Sequence, residues 1–132
     1  MKSIYSCLLV VLIAITLACG YGSKNYNNTA PGAMPAISQL SPDNTNAGSA
    51  AFTMIVNGNN FASNANVNWN GVAQRTTYVT SSQLTIAIPA AMISTAGNVQ
   101  VTVTNPASNS NGPYGMGGAL AQTSQPVTFT IN

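Results

Sequence analysis

From residue 36 onward, apolar side chains recur at every second position, and Gly, Asn, Pro and Ser interrupt them at short intervals. A period of two sends alternate side chains to opposite faces of an extended strand, whereas an amphipathic helix needs a period near 3.6. Residues 51–56 (AFTMIV) set Phe52, Met54 and Val56 on one face. Residues 83–88 (QLTIAI) do the same with Leu84, Ile86 and Ile88, and residues 98–105 (NVQVTVTN) with Val99, Val101 and Val103. In residues 126–132 the set is Val127, Phe129 and Ile131. Residues 36–40 (AISQL) and 76–80 (TTYVT) are shorter strand candidates. The sharpest local signal is VNWNGVAQ, residues 67–74. Val67 and Trp69 flank Asn68, and Asn70-Gly71 supplies the two positive-φ residues of a type I′ hairpin turn.

The breakers fall between these runs. Ser41-Pro42 ends the first strand, and residues 43–49 read as a loop. NGNN, residues 57–60, reads as a turn before Phe61, an apolar plug. Pro89 halts another strand, and residues 90–94 make a single turn at most, ahead of Gly97. The outcome is an all-β chain of about seven strands, and strands with one apolar face need a second sheet to cover it. An antiparallel two-sheet sandwich follows. Its expected inward set joins Ile37, Leu40, Phe61, Val67 and Trp69 to the residues of the four runs above.

What keeps such a chain in solution is unusual. Charged residues make up 3% of it: Lys2, Lys24, Arg75 and Asp43, with no Glu and no His. Ordinary domains carry about 25%. Asn, Ser, Thr, Gln and Gly must therefore do the solubilising. Binding to phosphate backbones needs several Lys or Arg contacts, so no nucleic-acid partner is expected. Binding to anionic membrane surfaces needs a basic cluster, and the sequence has none.

The first eighteen residues differ in kind. Met1-Lys2 is a short positive start, and an apolar core follows, densest from Leu8 to Leu17. That layout is an export signal peptide over residues 1–18; the alternative is a short uncleaved membrane anchor. Ala18 then precedes Cys19 directly. TLAC, residues 16–19, resembles the lipobox of bacterial lipoproteins, with Thr16 where Leu is usual. That resemblance implies that Cys19 becomes the first mature residue and is acylated, which attaches the protein to a membrane through a lipid anchor. Two or more acyl chains are needed for stable anchoring. Cys7 would be discarded with the leader; a Cys7–Cys19 bridge is the rival reading. Gly20, rather than Asp, after the cysteine implies the outer membrane or cell surface by the same resemblance. Residues 19–35, rich in Gly, Asn and Pro, read as a flexible tether. Within them Asn27-Asn28-Thr29 matches the N-glycosylation pattern, idle behind a bacterial leader.

Little in the side-chain inventory supports catalysis. General acid–base chemistry needs groups that titrate near neutrality, and activated Ser or Thr needs a base; one Asp supplies neither a carboxylate pair nor a triad. Asp43 with Asn44 and Asn46 is a weak calcium motif, since one carboxylate makes a poor site, and a turn-forming loop start is the simpler reading. Residues 115–118 (GMGG) lack the spacing of a nucleotide cradle. No enzyme activity, metal or cofactor is expected. Candidate ligand contacts are Tyr78, Tyr114 and Arg75. Trp69 alternates with Val67 and reads as core rather than as a sugar-stacking platform.

The opening PAISQLSPDNTNAGS, the strand FTMIVNGNNF with its G-x-x-F step from Gly58 to Phe61, the hairpin VNWNGV, and the strands LTIAIP and NVQVTVTNP together resemble IPT/TIG domains. That resemblance covers nearly everything after residue 35 and implies an immunoglobulin-like fold over residues 36–132. It also implies a spacer, an adhesion module or an accessory to carbohydrate-active enzymes. Residues 107–124 depart from the family pattern as a long loop insert. The expected function is a non-catalytic, lipid-anchored surface protein that displays one such module to an envelope protein or polysaccharide. The alternatives are a carbohydrate-binding module and a spacer without ligand.

Overall fold

A computed structural model describes residues 32–108 and 118–132 of the protein. Seven strands of four or more residues carry the fold, joined by three of two residues. In chain order they are β1 (Ala36–Ser41), β2 (Asn44–Thr45), β3 (Phe52–Asn59), β4 (Asn66–Trp69), β5 (Val72–Ala73), β6 (Thr76–Thr80), β7 (Gln83–Ile88), β8 (Gly97–Asn105), β9 (Gln122–Thr123) and β10 (Val127–Ile131). The first sheet runs β1-β3-β7-β6; the second runs β2-β10-β8-β4-β5, with β9 on β8. The all-β, immunoglobulin-like sandwich expected from the alternation is the observed architecture.

The inward faces meet in one core. Met54, Val56, Leu84, Ile86 and Ile88 from the first sheet face Val67, Trp69, Val99, Val101, Val103, Phe129 and Ile131 from the second, all buried. Phe129 ties the layers together: its ring centroid lies 5.2 Å from that of Trp69 and 6.1 Å from that of Phe52, across the sandwich. Trp69 is thus a core residue. Ile37, Phe52 and Val127 are only partly buried and pack on the rim of this cluster. Ile93, fully buried on a 3-10 turn at Ala90–Ile93, belongs to the core as well although it lies on no period-two run, and Ala65 extends the alternation of Val67 and Trp69 by one step.

Ile37 and Leu40 are three residues apart yet both turn inward. The register explains it: Ile37 pairs with Gly58 and Gln39 with Asn57, so Ser38 bulges out of β1. One extra residue on a strand shifts the alternation by one.

Three segments depart from the sequence reading. Residues 57–59 do not turn; they continue β3, and the reversal comes at Asn60, which has φ 59°. The loop at 43–49 contains β2, which pairs in parallel with β10 through Asn44↔Thr130 and Thr45↔Ile131, so the sandwich is not wholly antiparallel. Within 107–124, β9 pairs with β8, and Ser124 is buried, accepting from the Val103 amide at 2.9 Å. Short polar pairings of this kind leave no hydrophobic period to read. By contrast, the Asn70-Gly71 turn forms as expected, with φ 52° and 83°.

The outer face of the second sheet shows how few charges suffice. Asn68 Nδ2 donates to the hydroxyls of Thr102 (3.1 Å) and Thr104 (2.9 Å), and the Thr104 and Thr123 hydroxyls are 2.8 Å apart. Amides and hydroxyls form a cross-strand lattice that water can extend in every direction.

Candidate functional site

A shallow cleft of about 850 Å³ opens at one end of the first sheet, where β3 begins, β7 ends and the link from β5 reaches β6. Its position follows from strand register. Thr53 pairs with Ala87, and Thr76 pairs with Ile86, which brings Arg75 alongside Ala87 on the next rung. The row Thr53–Ala87–Arg75 therefore crosses β3, β7 and the link into β6 with its smallest member in the middle. A methyl between a hydroxyl and a long guanidinium makes a trough. Thr77 adds a second hydroxyl, and Ala51, Phe52, Ile88 and Pro89 supply apolar wall.

Arg75 is held out to solvent by what precedes it. The Gln74 amide donates to the Val67 carbonyl at 2.8 Å, the Thr76 hydroxyl donates to the Gln74 carbonyl at 2.9 Å, and the same hydroxyl accepts from the Val67 amide at 2.8 Å. These bonds lash the link to the start of β4 and leave the Arg75 side chain exposed. It is the only cationic side chain of the described residues, and Asp43 is the only anionic one. Asp43 accepts from Asn44 Nδ2 at 2.7 Å, so the carboxylate is turned to its own loop. Among the described residues no carboxylate pairs with Arg75.

Tyr78, 40% exposed, lies elsewhere. It pairs with the buried Leu84, on the core-side phase of the edge strand β6, and it does not line the cleft. The bulge that follows it throws Val79 into solvent. The structure thus brings Arg75 together with Thr53 and Thr77, which sequence reasoning did not single out, and separates it from Tyr78. Only the pairing of β3, β7 and β6 reveals that row; nothing local in the sequence marks it. Cys19 and Tyr114 lie outside the described residues. Asn44 lies in β2, directly after Asp43, and Asn46 opens a turn in which Ser49 donates to the Asn46 carbonyl; no group of three or more His, Cys, Asp or Glu occurs among the described residues.

A second recess of about 340 Å³ is organised by Asn105 at the end of β8. Its Oδ1 accepts from the Ala62 amide at 2.9 Å, and its Nδ2 donates to the carbonyls of Asn60 (2.7 Å) and Ala33 (3.1 Å). One buried amide thereby satisfies three backbone groups on two other segments, which is what a polar side chain at a core margin must do to be tolerated. Residues 33–35 join the domain here: Met34 accepts from Asn60 Nδ2 at 3.3 Å, and Pro35 is buried. Nearby, Ser108 and Ala119 exchange two hydrogen bonds, at 2.9 and 3.0 Å. This recess serves mainly to hold the fold together.

Comparison with protein families decides the affiliation. The IPT/TIG domain matches residues 35–131. The chain belongs to the IPT/TIG family. No curated protein matches it in sequence. IPT/TIG domains are immunoglobulin-like interaction modules, typically non-catalytic. The G-x-x-F step from Gly58 to Phe61 has a steric origin in this member: Gly58 lies in β3 beneath the Phe61 ring. No helix among the described residues is long and apolar enough to cross a membrane.

Proposed function

We propose that this protein is a non-catalytic, lipid-anchored cell-surface protein that presents a single IPT/TIG module to a protein or polymer of the envelope. Acyl chains on Cys19 hold it to the membrane, residues 20–32 give reach, and the sandwich is the part that makes contact. The observation that favours a presenting role is the concave end of the first sheet, where the one cation of the domain stands without an anionic partner in a rim of hydroxyls. The lipid anchor is supported by the leader and by the TLAC sequence of residues 16–19.

The test is metabolic labelling with a fatty acid analogue, together with protease accessibility on intact cells. The native chain should incorporate label and be shaved from the surface. Cys19→Ala should lose both the label and membrane retention while its sandwich remains folded. Unchanged labelling in Cys19→Ala would refute the anchor.

A carbohydrate-binding role is the second reading. The uncharged amide and hydroxyl cover of the sheets favours it, because such groups match the donors and acceptors of sugars without competing charge.

A further inference from the structure

We propose that the cleft at Arg75 binds a carboxylate-bearing saccharide, one sugar-acid unit of an anionic polysaccharide seated in the Thr53–Ala87–Arg75 trough. The inference rests on the reading of the domain as a binding module and adds the site and the ligand class.

Charge sets the first constraint. A single guanidinium with no internal carboxylate partner is matched by one carboxylate, which it can grip through two parallel hydrogen bonds. Phosphate chains, which draw on several cations, do not fit a site with one.

Shape sets the second. The volume, about 850 Å³, lies within the range of small-ligand sites. The apolar wall at Ala51, Ala87 and Pro89 suits the C–H face of a pyranose ring, and the Thr53 and Thr77 hydroxyls stand on the rim where ring hydroxyls would project. Among the described residues these two hydroxyls form no side-chain hydrogen bond within the protein, so they are free to bond a ligand.

Backbone chemistry sets the third, and it argues against a peptide. A β-sandwich has one recurring way to hold a peptide, the addition of a strand to an open edge. Both β3 and β7, which form the floor, are interior strands already paired on each side. The open edges of this sheet are the outer sides of β1 and β6, and a strand added at β6 would lie beside the trough rather than in it.

The test is titration of the full chain with short oligogalacturonates, with neutral galactan oligomers of equal length, and with a peptide ending in a free carboxylate, followed by calorimetry and amide chemical shifts. The expected result is binding of the acidic sugar alone, weakened by salt, with shifts centred on Thr53, Thr77 and Ala87. Arg75→Gln should lose about tenfold or more in affinity, and Arg75→Lys should lose less. Native Trp69 fluorescence in both variants would show that they fold. Equal binding of acidic and neutral sugars, preference for the peptide, absence of binding, or an unaffected Arg75→Gln would each overturn the assignment. A parallel pull-down from envelope material separates the two levels. If the full chain and Arg75→Gln capture the same material while oligogalacturonate fails, the cleft assignment falls and the module reading stands; if nothing is captured either, both fall.

Discussion

The ring of Phe61 lies on the α-carbon of Gly58: its Cζ is 2.5 Å from the point where a β-carbon would project, and the Ala36 carbonyl oxygen presses on the same point. The side chain after the turn fills the space left by the missing one before it. Strand β1 can then approach β3 closely enough to pair.

Gly58→Ala should therefore be among the costliest single-carbon changes in the domain. One neighbour is backbone and cannot rotate away, so β1 must shift. A loss of about 1–3 kcal/mol is expected, toward the upper end, as a lowered midpoint in urea unfolding. Wild-type stability in this variant would refute the steric account.

Gly71 makes the useful contrast. Nothing lies within 4 Å of its absent β-carbon, but its φ is +83°. Gly71→Ala meets torsional strain alone, and about 1–2 kcal/mol is expected. Relief of crowding by deleting the Phe61 side chain should leave the Gly71→Ala cost unchanged and reduce that of Gly58→Ala, in a double-mutant cycle.

Asn105→Ala leaves the carbonyls of Asn60 and Ala33 and the amide of Ala62 without their partner. Unsatisfied buried groups cost about 1–3 kcal/mol, and the Ala62 amide should lose protection in hydrogen exchange. Asn105→Asp keeps the acceptor for Ala62 but faces two carbonyl oxygens with a carboxylate. It should retain Ala62 protection and still be destabilised.

Trp69 is the only tryptophan and packs on Phe129 in the core. Its emission should be blue-shifted and shielded from acrylamide in the native protein and should move red in one cooperative step on unfolding. Trp69→Ala should cost about 3–5 kcal/mol.

The sandwich was legible because alternation is a direct readout of burial: the inward Val99, Val101 and Val103 of β8 sit where a period of two requires. The same phase puts Trp69 in the core, and torsional demand alone marks the Asn70-Gly71 turn. What escaped lies beyond local pattern. Ile93 is buried from a 3-10 turn with no strand phase. Asn57-Gly58 looks like a turn, and only the contact with Phe61 and Ala36 makes it strand. Thr53, Ala87 and Arg75 become neighbours through the register of three strands drawn from residues 51 to 88. Arg75 stood out as the lone cation of the domain, but its companions could not be named without that register.

Strand β10 is the last of the ten in the chain, yet it is inserted between β2 and β8 and carries Phe129, the ring that joins both layers. Until Val127–Ile131 has been made, the first sheet can assemble while the second lacks its keystone. Pairings so distant along the chain close slowly. The first layer therefore waits on Val127–Ile131 for its cover, and closure of the sandwich is the late, long-range step of its folding.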